Sequence, residues 1–196
     1  MNLVDKLIEQ CKNPTGFVGS IMISIMNVVH TRMRKWALKK IVIKEDAVIL
    51  DIGCGGGKTI NTLSKIVKSG KVYGIDYSEK AVENSVRINR KNVENGKVII
   101  SIASVSYIPF QENFFDVVTA FQTHYFWPDL ENDVKEVFRT LKQRGHFMIV
   151  AEVYKINYHM KSYNSKEALQ ELFKKIGYIN VQAYESNGLI CLVGSK

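Results

Sequence analysis

The 196-residue sequence predicts a doubly wound α/β fold, and three observations predict it. Apolar strand-like runs alternate with amphipathic helical stripes. Two of those runs close on an acid, Asp51 and Asp76, and the first passes into its helix through a glycine cluster, Gly53, Gly55, Gly56 and Gly57. Such alternation implies right-handed crossovers, a mostly parallel sheet and helices on both faces. A reversal of strand order then opens a crevice at the carboxyl edge of the sheet, where both acids fall.

Each element follows from its pattern. Val48, Ile49 and Leu50 make a buried strand ending at Asp51, and Ile60, Leu63 and Val67 mark the helix after the glycines. Lys71 to Ile75 is a second strand ending in Asp76, followed by a helix with Ser78 as N-cap and Ala81, Val82, Ser85 and Val86 inward. Val98 to Ile102 and Phe115 to Phe121 are the third and fourth strands. Val134, Val137, Phe138 and Leu141 define a helix that Gly145 is expected to end before a fifth strand, Phe147 to Val150. A last helix carries Ala168, Leu169, Leu172, Phe173 and Ile176 and stops at Gly177. Strands around Ile179 to Tyr184 and Leu189 to Val193 then form a hairpin about Asn187-Gly188, completing seven strands with a C-terminal antiparallel hairpin.

Composition removes whole classes. A hydrophobic fraction of 46% and a charged fraction of 23% exclude a disordered chain, a collagen-like fibre and a disulfide-stapled miniature. The three cysteines, Cys11, Cys54 and Cys191, form no CxxC pair, so no metal site is expected and a reducing, cytoplasmic setting fits. Polar Asp5, Lys6, Glu9 and Lys12 argue against a secretory signal. The apolar stretch Ile21 to Val29 is far short of the roughly 20 residues that span a bilayer. The net charge of +8 raises a polyanionic partner. Its carriers, among them Lys35, Lys39, Lys40, Arg87, Arg90, Lys91, Lys142, Arg144, Lys174 and Lys175, are nevertheless scattered in the manner of a solvated surface.

The loop Asp51-Ile52-Gly53-Cys54-Gly55-Gly56-Gly57-Lys58-Thr59 can be told from two other glycine motifs. A P-loop needs glycine five positions before Gly57, where Ile52 stands. A dinucleotide fingerprint starting at Gly53 needs a small residue where Lys58 stands, which leaves a nicotinamide enzyme as a runner-up. The pattern D-x-G-x-G-x-G after a first strand, with an acid closing the second, resembles the class I S-adenosylmethionine-dependent methyltransferases, whose fold is Rossmann-like. The likeness runs from about Val48 to Val193. Ser104-Val105-Ser106-Tyr107-Ile108-Pro109-Phe110 is similar to D-A-x-x-L-P-F, and Leu141-Lys142-Gln143-Arg144-Gly145 to L-K-P-G-G, of the small-molecule branch that includes the ubiquinone and menaquinone biosynthesis methyltransferases.

The resemblance implies S-adenosylmethionine as cofactor, S-adenosylhomocysteine as product and no metal. It implies backbone approach at Gly53 and Gly55, ribose hydroxyls on Asp76, the methionyl amine oriented by Asp51, adenine packed by Val105 and Tyr77, and the fourth-strand exit, Thr119 to Phe121, near the methionyl end. Ser104 stands where the family has an acid for the adenine amino group; its hydroxyl can still accept, without the help of a charge.

Methyl transfer is an in-line displacement, so holding the acceptor atom against the methyl is the main task. Phe121 to Asp129 is the best substrate-facing segment, with His124 as a general base and Tyr125 as an orienting group. Residues 1–47 are expected to be a helical N-terminal cap on the core 48–196, with Phe17, Met22, Met26, Asn27 and His30 lining an acceptor pocket and Tyr154, Tyr158 and His159 closing another side. The expected activity is methylation of a small, partly apolar acceptor by a monomer or homodimer. An RNA methyltransferase and a non-catalytic S-adenosylmethionine-binding protein are the alternatives, the first raised by the charge and the second by Ser104.

Overall fold

The computed structural model describes residues 30–196. The chain divides into two compact units, Met1–Leu38 and Lys39–Lys196. In the first, residues 30–37 are helical and Arg34 donates to Thr31 Oγ1. Phe17, Met22, Met26, Asn27 and the apolar stretch Ile21 to Val29 lie outside the described residues.

The second unit is built on a seven-stranded sheet in the order β3-β2-β1-β4-β5-β7-β6. Its strands are β1 (Val48–Ile52), β2 (Lys71–Asp76), β3 (Val98–Ile102), β4 (Phe115–Phe121), β5 (Leu141–Glu152), β6 (Ile179–Ser186) and β7 (Leu189–Ser195). The first five run parallel, and β7 pairs antiparallel with both β5 and β6. The chain winds outward from β1 to β3 and then returns to the other side of β1 as β4. The gap between these two excursions lies at the carboxyl ends of β1 and β4, the switch point at which open α/β sheets bind ligands.

Helices α1 (Lys58–Ile66), α2 (Glu79–Ile88), α3 (Arg90–Glu94), α4 (Leu130–Thr140), α5 (Val153–His159) and α6 (Lys166–Ile176) complete the unit. Ser78, Asp129 and Ser165 cap α2, α4 and α6 by accepting from the backbone N–H of Ala81, Asn132 and Ala168. Gly177, at φ 117°, ends α6 as its left-handed C-cap, and Asn187 and Gly188, both at positive φ, turn the terminal hairpin. Ile49, Leu50, Val118, Phe147 and Ile149 are wholly buried where the central strands meet the helices.

Three local expectations are corrected. Helix α4 ends at Thr140, and Leu141 already pairs with Phe115. The left-handed residue at the register shift near the start of β5 is Arg144, at φ 66°, and not Gly145. A Cβ on Gly145 would lie 2.8 Å from Lys142 O, so that glycine is needed for close approach rather than for handedness. The segments read as loops at His124 and at Tyr154 to His159 are a 3-10 turn, His124–Phe126, and the helix α5. No helix among the described residues is long and apolar enough to cross a membrane.

Candidate cofactor and acceptor site

At the carboxyl end of β1 the chain turns sharply because Gly53, Gly55 and Gly57 take φ values of 66°, 49° and 75°. The turn is moored to β2, whose Ile75 carbonyl accepts from Gly53 N at 2.8 Å and Cys54 N at 3.1 Å. It is moored again by Asp76: Gly55 N donates to one carboxylate oxygen at 2.9 Å and Ser78 N to the other at 3.0 Å. Asn89 closes the far side, its side-chain amide donating to the carbonyls of Gly57 and Ser85. Asp51, almost fully buried, accepts from Thr119 Oγ1 of β4 at 2.7 Å, so a carboxylate and a hydroxyl meet at the switch point.

The site is anionic at its centre. Burial first, and then the charges of Asp51 and Asp76, push the Cys54 thiol far up, so Cys54 stays protonated and unreactive. Two observations test whether a nucleoside with a charged side chain fits. A Cβ placed on Gly55 or Gly56 would meet nothing within 4 Å, so open space lies over the loop backbone. A carboxylate has about four lone-pair sites, and Asp76 uses two on backbone N–H groups, leaving capacity for a diol. The residues present fit such a group.

On the β2 and β3 side of that cradle, Tyr77 is 77% exposed beside Asp76, while Val105 is buried in the core and Ser104 is exposed. Ser104 Oγ accepts from Ser106 N, which orders the turn after β3. At the other side, Phe121 ends β4 half-buried, and the chain passes through Gln122 at φ 60°. Gln122 donates to Glu152 and accepts from the Tyr125 hydroxyl at 2.8 Å, and Lys155 pairs with Glu152 at 2.8 Å. Tyr125 stacks on His159 with ring centroids 5.2 Å apart, and Phe126 and Tyr158 meet the same imidazole edge-on. His124 is almost fully buried, neither ring nitrogen has a hydrogen-bond partner among the described residues, and burial pushes its pKa down to about 3. It is therefore neutral at physiological pH.

The structure thus brings Asp51, Gly53, Gly55 and Asp76 to one edge, with Tyr77, Ser104, Val105 and Phe121 on the adjoining strand exits and His124 and Tyr125 on the turn after β4. His30 belongs to the separate unit Met1–Leu38. Sequence reasoning placed Gln122 in the substrate-facing segment without a role of its own, and missed Glu152, Lys155 and Asn89. No group of three or more His, Cys, Asp or Glu side chains that could hold a metal ion occurs among the described residues.

Comparison with known proteins agrees with this geometry. The methyltransferase-domain family matches residues 50–149, just over half of the chain. The uncharacterized methyltransferase YcgJ of Bacillus subtilis is 34% identical over 103 residues, 52% of this chain and 39% of its own length. Demethylmenaquinone methyltransferase of Staphylococcus saprophyticus is 33% identical over 117 residues, 59% of this chain and 49% of its own. The matches span between 28% and 61% of the first curated relatives. A solved S-adenosylmethionine-dependent methyltransferase from Aquifex aeolicus superposes with a TM-score of 0.65 at 20% identity, covering 82% of this chain and 88% of that one, a likeness of fold. The chain belongs to the methyltransferase-domain family and has the class I S-adenosylmethionine-dependent fold.

Proposed function

We propose that this protein transfers a methyl group from S-adenosylmethionine to a small, partly apolar acceptor. What carries the reading is the convergence at one sheet edge of the left-handed glycine turn, the twice-anchored Asp76 and the Asp51–Thr119 pair. The bound cofactor supplies an electrophilic sulfonium methyl. Asp76 takes the ribose hydroxyls, the backbone of Gly53 and Gly55 lies against the cofactor, and Asp51, steadied by Thr119, orients the methionyl ammonium. Val105 and Tyr77 flank the adenine, Ser104 accepts from its amino group, and Phe121 borders the methionyl end.

The acceptor sits against the rings of Tyr125, Phe126, Tyr158 and His159, which suit an apolar face, while Gln122 and the Tyr125 hydroxyl serve its polar groups. His124 is the base proposed to take the acceptor's proton, which requires the turn after β4 to open and expose its ring, since burial now holds it neutral with a pKa of about 3. Relatives named demethylmenaquinone methyltransferase, from four bacteria, support the small-molecule ubiquinone/menaquinone branch. On this reading the protein acts in the cytoplasm as a monomer or homodimer, without a metal or a nucleic-acid partner.

Calorimetry with S-adenosylhomocysteine tests the cofactor half: heat of binding is expected, and its absence at saturating ligand overturns the reading. Formation of S-adenosylhomocysteine over a panel of small phenols, quinols, amines and thiols tests the transfer. His124→Ala is expected to lower turnover more than cofactor affinity.

A further inference from the structure

The turn after β3 carries Ser104 and Val105, but no strand satisfies its later backbone groups. Two side chains of α4 do so instead. Glu136 Oε1 accepts from Ile108 N at 2.9 Å. Arg139 donates from Nη2 to Ile108 O at 3.1 Å and from Nη1 to Phe110 O at 2.9 Å. The same two residues form a bidentate ion pair, Nε to Oε2 and Nη2 to Oε1, each 2.8 Å. Both side chains are largely shielded, 17% exposed for Glu136 and 33% for Arg139. The pair thus stands in for a missing strand: one donor and two acceptors of a seven-residue loop close on a preformed ionic fork.

The loop's apolar side chains hold it in depth but not in orientation. Ile108 is buried, and Phe110 packs on Tyr73, Phe114 and Phe115. Pro109 lies between the clamped carbonyls and lacks an N–H, so local hydrogen bonding there is confined to Phe110 N on Ile108 O at 2.7 Å. Upstream, Tyr107 N on Ser104 O, Ser106 N on Ser104 Oγ and a side-chain hydrogen bond from Ser106 to Asp133 of α4 stiffen the turn. Without the fork, the peptides from Tyr107 to Phe110 lose their partners on α4, and the exposed Ser104 at the head of the loop is held less firmly.

We propose that Glu136 and Arg139 are positioning residues that preset the 104–110 loop for the adenine end of the cofactor. They touch no cofactor themselves, and the proposal rests on the reading of Ser104 and Val105 as adenine contacts. Ser104 lacks a carboxylate's charge, so adenine recognition here depends more on the loop being correctly placed before binding. Losing that preorganisation adds an ordering cost to binding.

The test is S-adenosylhomocysteine affinity by calorimetry for the wild type, Arg139→Met, Arg139→Lys and Glu136→Gln, with amide hydrogen exchange at Ile108 as a second readout. Arg139→Met is expected to lose roughly tenfold or more in affinity, as is usual when a binding loop must be ordered on association, and to exchange Ile108 faster. Arg139→Lys cannot serve both carbonyls and the carboxylate, so it falls between the wild type and Arg139→Met. If Arg139→Met fails to fold, Glu136→Gln, which keeps shape and an acceptor for Ile108 N, decides by the same readouts. A folded variant with wild-type affinity and wild-type Ile108 protection overturns the proposal. Absence of binding by the wild type overturns the cofactor reading instead.

Discussion

Gly53→Ala tests the glycine turn most sharply, because two separable costs meet there. Its φ of 66° is in the left-handed region, where a Cβ costs about 1–2 kcal/mol. That Cβ would also lie 2.3 Å from Thr123 Oγ1 and 2.9 Å from Thr123 Cβ, an overlap of the kind that costs about 1–3 kcal/mol to relieve. The sum, about 2–5 kcal/mol, is a large part of the roughly 5–15 kcal/mol by which a domain is stable. Urea unfolding followed by circular dichroism would show it as a lower midpoint with little change in slope. A double-mutant cycle with Thr123→Gly separates the terms. Thr123→Gly removes the three atoms nearest the new methyl, although it loses the Trp127 Nε1 bond to Thr123 Oγ1, a loss the cycle subtracts. The double mutant should recover the steric part and keep the backbone strain. A coupling within about 0.5 kcal/mol of zero would refute the close approach of β1's turn to the segment after β4.

Asp76→Asn replaces one acceptor oxygen with a donor and leaves Gly55 N or Ser78 N facing it. S-adenosylhomocysteine affinity should fall by roughly tenfold or more, the scale of a charge-assisted hydrogen bond; an unchanged dissociation constant in calorimetry would be the contrary result. His124 gives a pH signature. Its pKa is pushed down to about 3 by burial from an unfolded value near 6.5, so the unfolded chain binds the extra proton. Its contribution to stability is full above pH 6.5 and is lost as pH falls towards 3, at up to about 1.4 kcal/mol per pH unit. Urea midpoints from pH 7 to 5 should therefore fall less steeply in His124→Asn, and parallel slopes would contradict the burial argument. S-adenosylhomocysteine affinity should vary little over a roughly tenfold change in salt, whereas a protein gripping several phosphates loses orders of magnitude in affinity for its nucleic acid; a steep salt-dependent affinity for RNA would reopen that alternative.

The readable parts of the fold and site were those in which local sequence and tertiary demand coincide. Asp51 and Asp76 end apolar runs, so strand geometry alone carries both to one edge. Ser78 is legible as a cap because its hydroxyl has a single useful target, Ala81 N. Gln122 carried no such signal, since a non-glycine residue at φ 60° is held there by Val150 O, Glu152 and Tyr125, partners 3 to 30 residues away. Arg144 hid for the same reason: its N–H bonds to Lys196 O, and an adjacent glycine drew attention to itself. Helix α5 escaped periodicity because only Ile156 of its residues is buried. The Glu136–Arg139 fork looks in sequence like an ordinary i,i+3 helix pair, and only the loop's route shows what it serves.

The distribution of charge supports the small-acceptor reading from a different direction. Lys142 and Arg144 sit at the start of β5, the end opposite the strand exits that carry the site, and Lys142 is paired with Asp116 at 2.9 Å. Lys174 and Lys175 lie on α6 against Glu171 and Glu131, and Arg90 pairs with Glu94 on α3. Such exposed pairs contribute little to stability, but they scatter the positive potential over separate faces. Around the strand exits, exposed rings are prominent: Tyr77, Phe126, Tyr154 and Tyr158, beside the exposed Lys58 and Lys80. A polyanion would be met there by the carboxylates of Asp51 and Asp76 and by aromatic faces, and Lys80 and Lys155 are paired with Glu83 and Glu152. Lys142, Arg144, Lys174, Lys175 and Arg90 thus lie away from the strand exits, which favours the compact acceptor with an apolar face that we propose.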